Sequence, residues 1–211
     1  MIIAIDGTSG SGKSTTAKAL AKKLNFFHID SGALYRVVTY FCISQDLEAD
    51  DDRLGSMLKD ISIEFRGEKF LLNGLDVSFK IREHSISESV STYSSNLMIR
   101  NKLSDLQRKL AKDKNVVVEG RDIGTAVFPD ADFKFYLSAD IEIRAARRFK
   151  QVNRPEISQK EILNNLIKRD ELDMNRKHSP LLKGVDAIEV NTTNLSINEQ
   201  VNIIVKTINK E

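Results

Sequence analysis

The 211-residue chain has no tryptophan, one cysteine, three prolines and three histidines. Each scarcity removes a class of answer. A single cysteine, Cys42, excludes a disulfide within the chain, and its apolar setting, Thr39–Ile43, marks a buried thiol. His28, His84 and His178 are far apart in sequence and show no metal-ligand spacing, which argues against a zinc site. So few prolines leave no Pro-rich linker. The formal net charge is only +2, too small to attract nucleic acid or a membrane surface by overall balance, so any anion site must come from local Arg and Lys clusters. No apolar run approaches the ~20 residues of a membrane span. The start, Met1-Ile2-Ile3-Ala4-Ile5-Asp6, lacks a basic region followed by an apolar run and a cleavage site. The expected location is the cytoplasm. What is present is ordinary for a soluble globular protein, with 41% hydrophobic and 29% charged residues, enough for one domain with a sizeable core and a small insert.

Five short, nearly continuous apolar runs read as parallel strands covered on both faces: Ile2–Ile5, Phe26–Ile29, Val116–Val118, Phe133–Leu137 and Ala187–Val190. Helical patterns follow at Lys13–Leu24, Gly32–Ile43, Ile141–Gln151 and Ser196–Ile208. Alternating strand and helix predicts a doubly wound α/β sheet. The middle differs. Ile61–Phe65 alternates with period two, Arg66-Gly67-Glu68-Lys69 is a turn, and Phe70-Leu71-Leu72 leads into Asn73-Gly74, a hairpin dipeptide. This predicts an antiparallel insert between the second and third strands of the main sheet. Two helices, near Ser78–Ser91 and Ser94–Lys112, return the chain to the core.

Gly7-Thr8-Ser9-Gly10-Ser11-Gly12-Lys13-Ser14 matches the phosphate-loop pattern between a strand and a helix. Its glycines let successive N–H groups curl around phosphate oxygens, and the helix N-terminus adds its positive dipole end. Lys13 is expected to reach the β and γ phosphates of ATP and Ser14 to ligate Mg²⁺. Val116-Val117-Val118-Glu119 is an apolar strand ending in an acid, a carboxylate placed to assist Mg²⁺ or its water.

In open α/β sheets ligands bind beyond the carboxyl ends of the strands. Three segments fall there: Asp30–Arg36, Glu119–Gly124 and a helix over Glu161–Arg176. On that helix Ile162, Leu166, Arg169, Asp173 and Arg176 share one face, an apolar stripe that turns ionic. A solvated Arg169–Asp173 pair would explain this locally. Convergence with Arg36 and Arg121 at the same sheet edge favours a cleft for a second anion. Arg144 and Arg148, at i and i+4, are placed to close over the triphosphate and stabilise the transferring group. Arg147 reads as a solvated helix residue. Gln151–Ser158 reads as mobile, with Arg154 inside it.

The chain resembles the bacterial cytidylate kinases, from Ile2 to the last helix. The resemblance is carried by Asp30-Ser31-Gly32-Ala33-Leu34-Tyr35-Arg36, by Gly120-Arg121-Asp122-Ile123-Gly124-Thr125 with Pro129-Asp130-Ala131, and by Arg169-Asp170 through Asp173-Met174-Asn175-Arg176 with Ser179-Pro180-Leu181. It implies a P-loop kinase over 1–211, with a five-stranded parallel sheet flanked by helices. It also implies a monophosphate-binding insert over 37–112 containing the hairpin at 61–78, and a short lid over 149–160. The implied activity is transfer of the γ-phosphoryl group of ATP, with Mg²⁺, to CMP or dCMP. ATP would be held by residues 7–14 with Thr15 and Arg144. Arg36, Arg121 and Arg176 would hold the monophosphate, with Ser31 in the same site. Ser91, Arg100 and Asp122 would read the cytosine edge, and Arg169 and Asp173 the sugar. Lys13, Arg121, Arg148 and Arg176 would be catalytic. The expected state is a monomer without a nucleic-acid or membrane partner. Thr8 stands where the family usually has Pro, and Glu119 where it usually has Asp, one methylene shorter. The rivals are a kinase of another small molecule and a P-loop switch or motor ATPase.

Overall fold

A computed structural model describes residues 1–66, 69–151 and 158–210. The described residues form eight strands and eight α-helices in an α/β arrangement. Chain contacts divide it into two compact units, Met1–Asp30 with Ala111–Glu211, and Ser31–Leu110.

The first unit is built on five parallel strands: β1 (Ile2–Gly7), β2 (Phe27–Asp30), β6 (Val116–Glu119), β7 (Phe133–Ser138) and β8 (Ile188–Asn191). Their order is β2-β6-β1-β7-β8. β1 lies at the centre, with Ile2 opposite Val116 and Ile3 opposite Phe133. The five apolar runs of the sequence are these strands, shifted by a residue or two at their ends. Ile3, Ile5, Val117, Phe135, Leu137 and Val190 point from one face into a core completed by α1 (Lys13–Leu24) and α8 (Ile197–Ile208). Asn25 closes α1 in the left-handed conformation (φ 55°), a usual helix stop. Ser196 and Glu199 cap each other at the start of α8. A second apolar cluster, Ala145, Ile162 and Leu166, joins α6 (Ile141–Gln151) to α7 (Gln159–Asn175). No helix among the described residues is long and apolar enough to cross a membrane.

The second unit holds α2 (Ser31–Ser44), α3 (Leu54–Lys59), a three-stranded antiparallel sheet of β3 (Ile63–Arg66), β4 (Lys69–Leu72) and β5 (Leu75–Asp76), α4 (His84–Tyr93) and α5 (Leu97–Ala111). Asn73 and Gly74 both take positive φ, 49° and 81°, as a tight hairpin turn requires. The Asn73 side chain also accepts the Ser62 N–H at 2.8 Å. Phe65 and Phe70 meet edge to face across the pair. Cys42 is fully buried in α2, and burial pushes its thiol up to about 11.

The sequence reading needs correction in this unit. The helix expected over Ser78–Ser91 is a 3₁₀ turn at Lys80–Arg82 followed by α4. The Ser78 hydroxyl accepts the Phe70 N–H, and the Ser78 N–H goes to Asp76. These side-chain bonds hold the backbone in a turn. Extended Glu83 (ψ 150°) then separates the 3₁₀ turn from α4. The following helix starts at Leu97 rather than Ser94, because the Asn96 side-chain Oδ1 caps the N–H groups of Met98 and Ile99. Strand β5 and helix α3 were not foreseen.

Candidate active site

The phosphate loop leaves β1 through Gly7 at φ 144°. A Cβ there would lie 2.0 Å from the Leu137 carbonyl oxygen on β7. Only glycine lets the loop leave the sheet at this point. Gly7→Ala is therefore expected to cost about 3 kcal/mol, from backbone strain and forced separation of β1 and β7. Thermal unfolding of the variant checks this, and an unchanged midpoint would refute it.

Lys13 begins α1 and is 5% exposed. Its ammonium donates to the Thr8 carbonyl at 2.6 Å and reaches the Ser11 hydroxyl at 3.5 Å. Burial, and then the nearby Arg121 guanidinium, hold its pKa well below the usual lysine value. The Ser14 hydroxyl donates to Glu119 at 2.6 Å, and the other Glu119 oxygen meets His28 Nε2 at 3.2 Å. Ser14 and Glu119 are thus two adjacent hard oxygen donors at the phosphate loop, a set that suits a divalent cation brought in with phosphates.

The helix expected over Glu161–Arg176, α7, does bring its ionic face to the loop after β6. Arg121 Nε donates to Asp173 at 3.0 Å. Arg176 Nη2 donates to Asp122 at 3.2 Å, its Nη1 lies 3.8 Å from Asp173, and its Nε donates to the Ser179 carbonyl at 2.7 Å. The side chains of Arg176, Asp122 and Asp173 are almost wholly buried, and that of Arg121 largely so. Two guanidiniums thus stand beside two carboxylates, braced by them and oriented. Arg169 is half-buried on the same helix.

On α6 the structure places two of the arginines against the phosphate loop and the loop after β8. Arg144 is buried, donates to the Ala139 and Ser9 carbonyls at 3.0 Å each, and pairs with Asp170. Asp170 also accepts the Ser9 N–H at 3.0 Å. The Ser9 peptide is gripped at both ends, so Arg144 and Asp170 brace the Gly7–Ser14 loop. The reading of Arg147 as solvated is overturned. It is half-buried and donates to the hydroxyl and carbonyl of Thr192, and the Thr192 hydroxyl donates to the Ser11 carbonyl at 2.8 Å. Arg148 and Thr15 are exposed. Of the stretch read as a lid, residues 152–157, including Arg154, lie outside the described residues.

The sequence matches the cytidylate kinase family profile over residues 3–210. A cytidylate kinase from Fusobacterium nucleatum is 47% identical over 100% of this chain and 98% of its own length. One from Clostridium tetani is 46% identical over 99% and 93%. The chain belongs to the cytidylate kinase family. It is therefore an enzyme, an ATP-dependent phosphotransferase. Solved structures share the fold at low identity. They include a shikimate kinase from Acinetobacter baumannii in complex with shikimate (15% identical, TM-score 0.51, covering 99% of this chain and 93% of that one). An uncharacterized protein from Eubacterium ventriosum aligns at 15% identity with a TM-score of 0.58, covering 100% and 99%.

The remaining residues that the cytidylate kinase resemblance singles out lie in the second unit. Ser31 is buried at the first position of α2, and Arg36 is half-buried one turn further on. Arg100 is buried on α5, donates to the Ser94 carbonyl at 2.9 Å, and stacks 5.4 Å from the Tyr35 ring centroid. The carbonyl of Ser91 accepts the Ser94 hydroxyl at 3.1 Å. The sequence assigns no role to Asp6, nor to Asp170 beyond its place in the Arg169-Asp170 motif. An isolated acid at a strand end, or one among several on a helix, carries no periodic signal.

Proposed function

We propose that this enzyme transfers the γ-phosphoryl group of Mg-ATP to CMP or dCMP, giving ADP and CDP or dCDP. The observation that carries the reading is the braced pair Arg121 and Arg176. Arg121 is near enough to Lys13 to depress its pKa. Cations for a second anion therefore stand beside the loop for the first. An oxygen of the acceptor phosphate attacks the γ phosphorus, and the bond to the bridging oxygen of ADP breaks. No protein nucleophile is needed. Residues 7–15 bind and orient the triphosphate through backbone N–H groups. Lys13 neutralises charge on the β and γ phosphates, and Arg121 and Arg176 neutralise the acceptor so that two anions can meet. Arg148 contributes a further cation to the transferring group. Ser14 and Glu119 would hold Mg²⁺, which supplies charge neutralisation across the phosphate oxygens. Arg169 and Asp173 contact the sugar. Ser31, Arg36, Ser91 and Arg100 keep the roles implied by the resemblance, with Arg36 on phosphate and Ser91 and Arg100 on the cytosine edge.

Base choice tests this reading. Cytosine offers an amino donor, which the Asp122 carboxylate can accept. Uracil presents a carbonyl there, placing two acceptors face to face. The mismatch costs ~1–3 kcal/mol, so CMP is expected to exceed UMP by about tenfold or more in kcat/KM. ADP release measured with ATP against a panel of nucleoside monophosphates reads this directly. ATP hydrolysis that is rapid without an acceptor would instead favour a switch ATPase. Asp122→Asn can turn either its carbonyl or its amide to the base, so the CMP/UMP ratio is expected to shrink. The variant also weakens the bond to Arg176, so its absolute rate falls for both nucleotides. The ratio is therefore the diagnostic quantity, and an unchanged ratio removes Asp122 from base reading.

A further inference from the structure

We propose that Asp6 is a positioning residue for the acceptor side of the reaction, its carboxylate setting where Arg121 and Asp122 stand by gripping the amides of Ile123 and Gly124. The inference rests on the reading of Arg121 as a phosphate ligand. Asp6 is the penultimate residue of β1 and is 6% exposed. One of its oxygens accepts the Ile123 N–H at 2.8 Å, and the other accepts the Gly124 N–H at 2.7 Å. Those two amides open a single wide turn, Ile123–Val127, in which Ala126 and Val127 both donate to the Asp122 carbonyl. The turn starts one residue beyond Asp122 and two beyond Arg121. The loop is therefore held from inside by Asp6, while α7 holds its side chains from outside through Asp173 and Arg176.

A carboxylate in this place is costly to the fold. Burial pushes its pKa up to about 6, opposed by the two amides; Asp122 raises it further and Lys13 lowers it. Lys134 packs against Gly124 from β7, where Tyr136 is paired in register with Asp6. A neutral side chain of the same shape would relieve that cost but leave one of the two N–H groups without an acceptor. What the carboxylate adds is two acceptors for two consecutive N–H groups, which no neutral isostere supplies. Asp6 is also peptide-bonded to Gly7. The loop for the donor phosphates and the loop bearing the acceptor arginine thus share one anchor. In-line transfer depends on such placement, and an error near 1 Å costs about a hundredfold.

The test is Asp6→Asn. Asparagine can accept one of the two amides, but its NH₂ faces the other, donor against donor. The expected variant is folded, with a CMP KM raised about tenfold, kcat lowered about tenfold and an ATP KM within threefold of wild type. Its thermal midpoint at pH 8 is expected to equal or exceed that of wild type. Because the native pKa is raised from 3.8 to about 6, wild-type stability falls as pH rises through that window, and the variant lacks this slope. Unchanged kinetic constants would overturn the proposal. So would a lowered midpoint with both KM values unaltered, since that would make Asp6 a support of the fold only. A second measurement uses the wild type: amide hydrogen exchange at Ile123 and Gly124 is expected to be as slow as in β1. Exchange at exposed-loop rates would overturn the clamp whether or not the variant folds. A wild type that does not phosphorylate CMP would sink the functional reading instead, and the exchange result would stand apart from it.

Discussion

Lys13→Ala is expected to lower kcat for phosphoryl transfer about a thousandfold while leaving the protein as stable as before, or more so. The ammonium is buried and bonds its own loop through the Thr8 carbonyl. Burial and Arg121 depress its pKa, so the folded state carries a desolvated cation at a cost. For a lysine lowered in this way, stability rises with pH between the folded value and the ordinary one of 10.5. Removing the group removes that cost. Catalysis responds in the opposite direction. The charge on the transferring group's oxygens grows toward the transition state, and a fixed cation in a dry site is worth most at that moment. One such donor supplies ~3–4 kcal/mol. Steady-state kinetics with CMP, together with a thermal melt, checks both halves. Activity within tenfold of wild type would remove Lys13 from the mechanism.

Much of the scaffold was legible because its physics is local. The phosphate loop is marked by glycines whose backbone a side chain would obstruct, Gly7 above all. α1 begins at Lys13 and ends at Leu24, as its apolar period predicts, because Asn25 stops it. The buried parallel strands announce themselves as short Val and Ile runs. The ionic face of α7 could be read from spacing alone, and the structure joins Asp173 and Arg176 to the Arg121–Asp122 loop. The misses share a cause. Asp6, Asp170 and Arg147 act through backbone groups more than a hundred residues away, or through partners that no spacing rule reveals. Arg147 looks like a surface residue until the loop after β8 presents Thr192 to it. The 3₁₀ turn at Lys80–Arg82 depends on the Ser78 hydroxyl serving a neighbouring strand, which propensity does not encode.

Arg121→Ala and Arg176→Ala are expected to raise the monophosphate KM at least tenfold and to lower kcat about a hundredfold, with the ATP KM within threefold of wild type. Arg121 is braced by Asp173, and Arg176 by Asp122 and Asp173. Truncation therefore removes a cation from the proposed acceptor site and also leaves a buried carboxylate with less compensation. Breaking a buried pair in this way costs ~3–5 kcal/mol. Arg176 has two carboxylate partners and the Ser179 carbonyl, so its loss is expected to lower the thermal midpoint more than that of Arg121. Kinetics must be read well below each variant's midpoint so that unfolding does not pass for weak binding. If ATP affinity fell while the monophosphate KM held, the donor and acceptor assignments would be exchanged.

The strand order has a consequence for how the chain is made. Of the described elements β1 comes first in the chain, yet its partners are β6 and β7, with Ile2 opposite Val116 and Ile3 opposite Phe133. At ~5–20 residues per second, the ribosome delivers those partners roughly 6–25 seconds after β1. Through that interval Ile2, Ile3 and Ile5 have no sheet to join. The intervening unit, Ser31–Leu110, is one continuous stretch and is complete before any of β6 has been polymerised. Closing the sheet around β1 is thus a late, long-range event, and until then the apolar residues of β1 must be kept from other nascent chains.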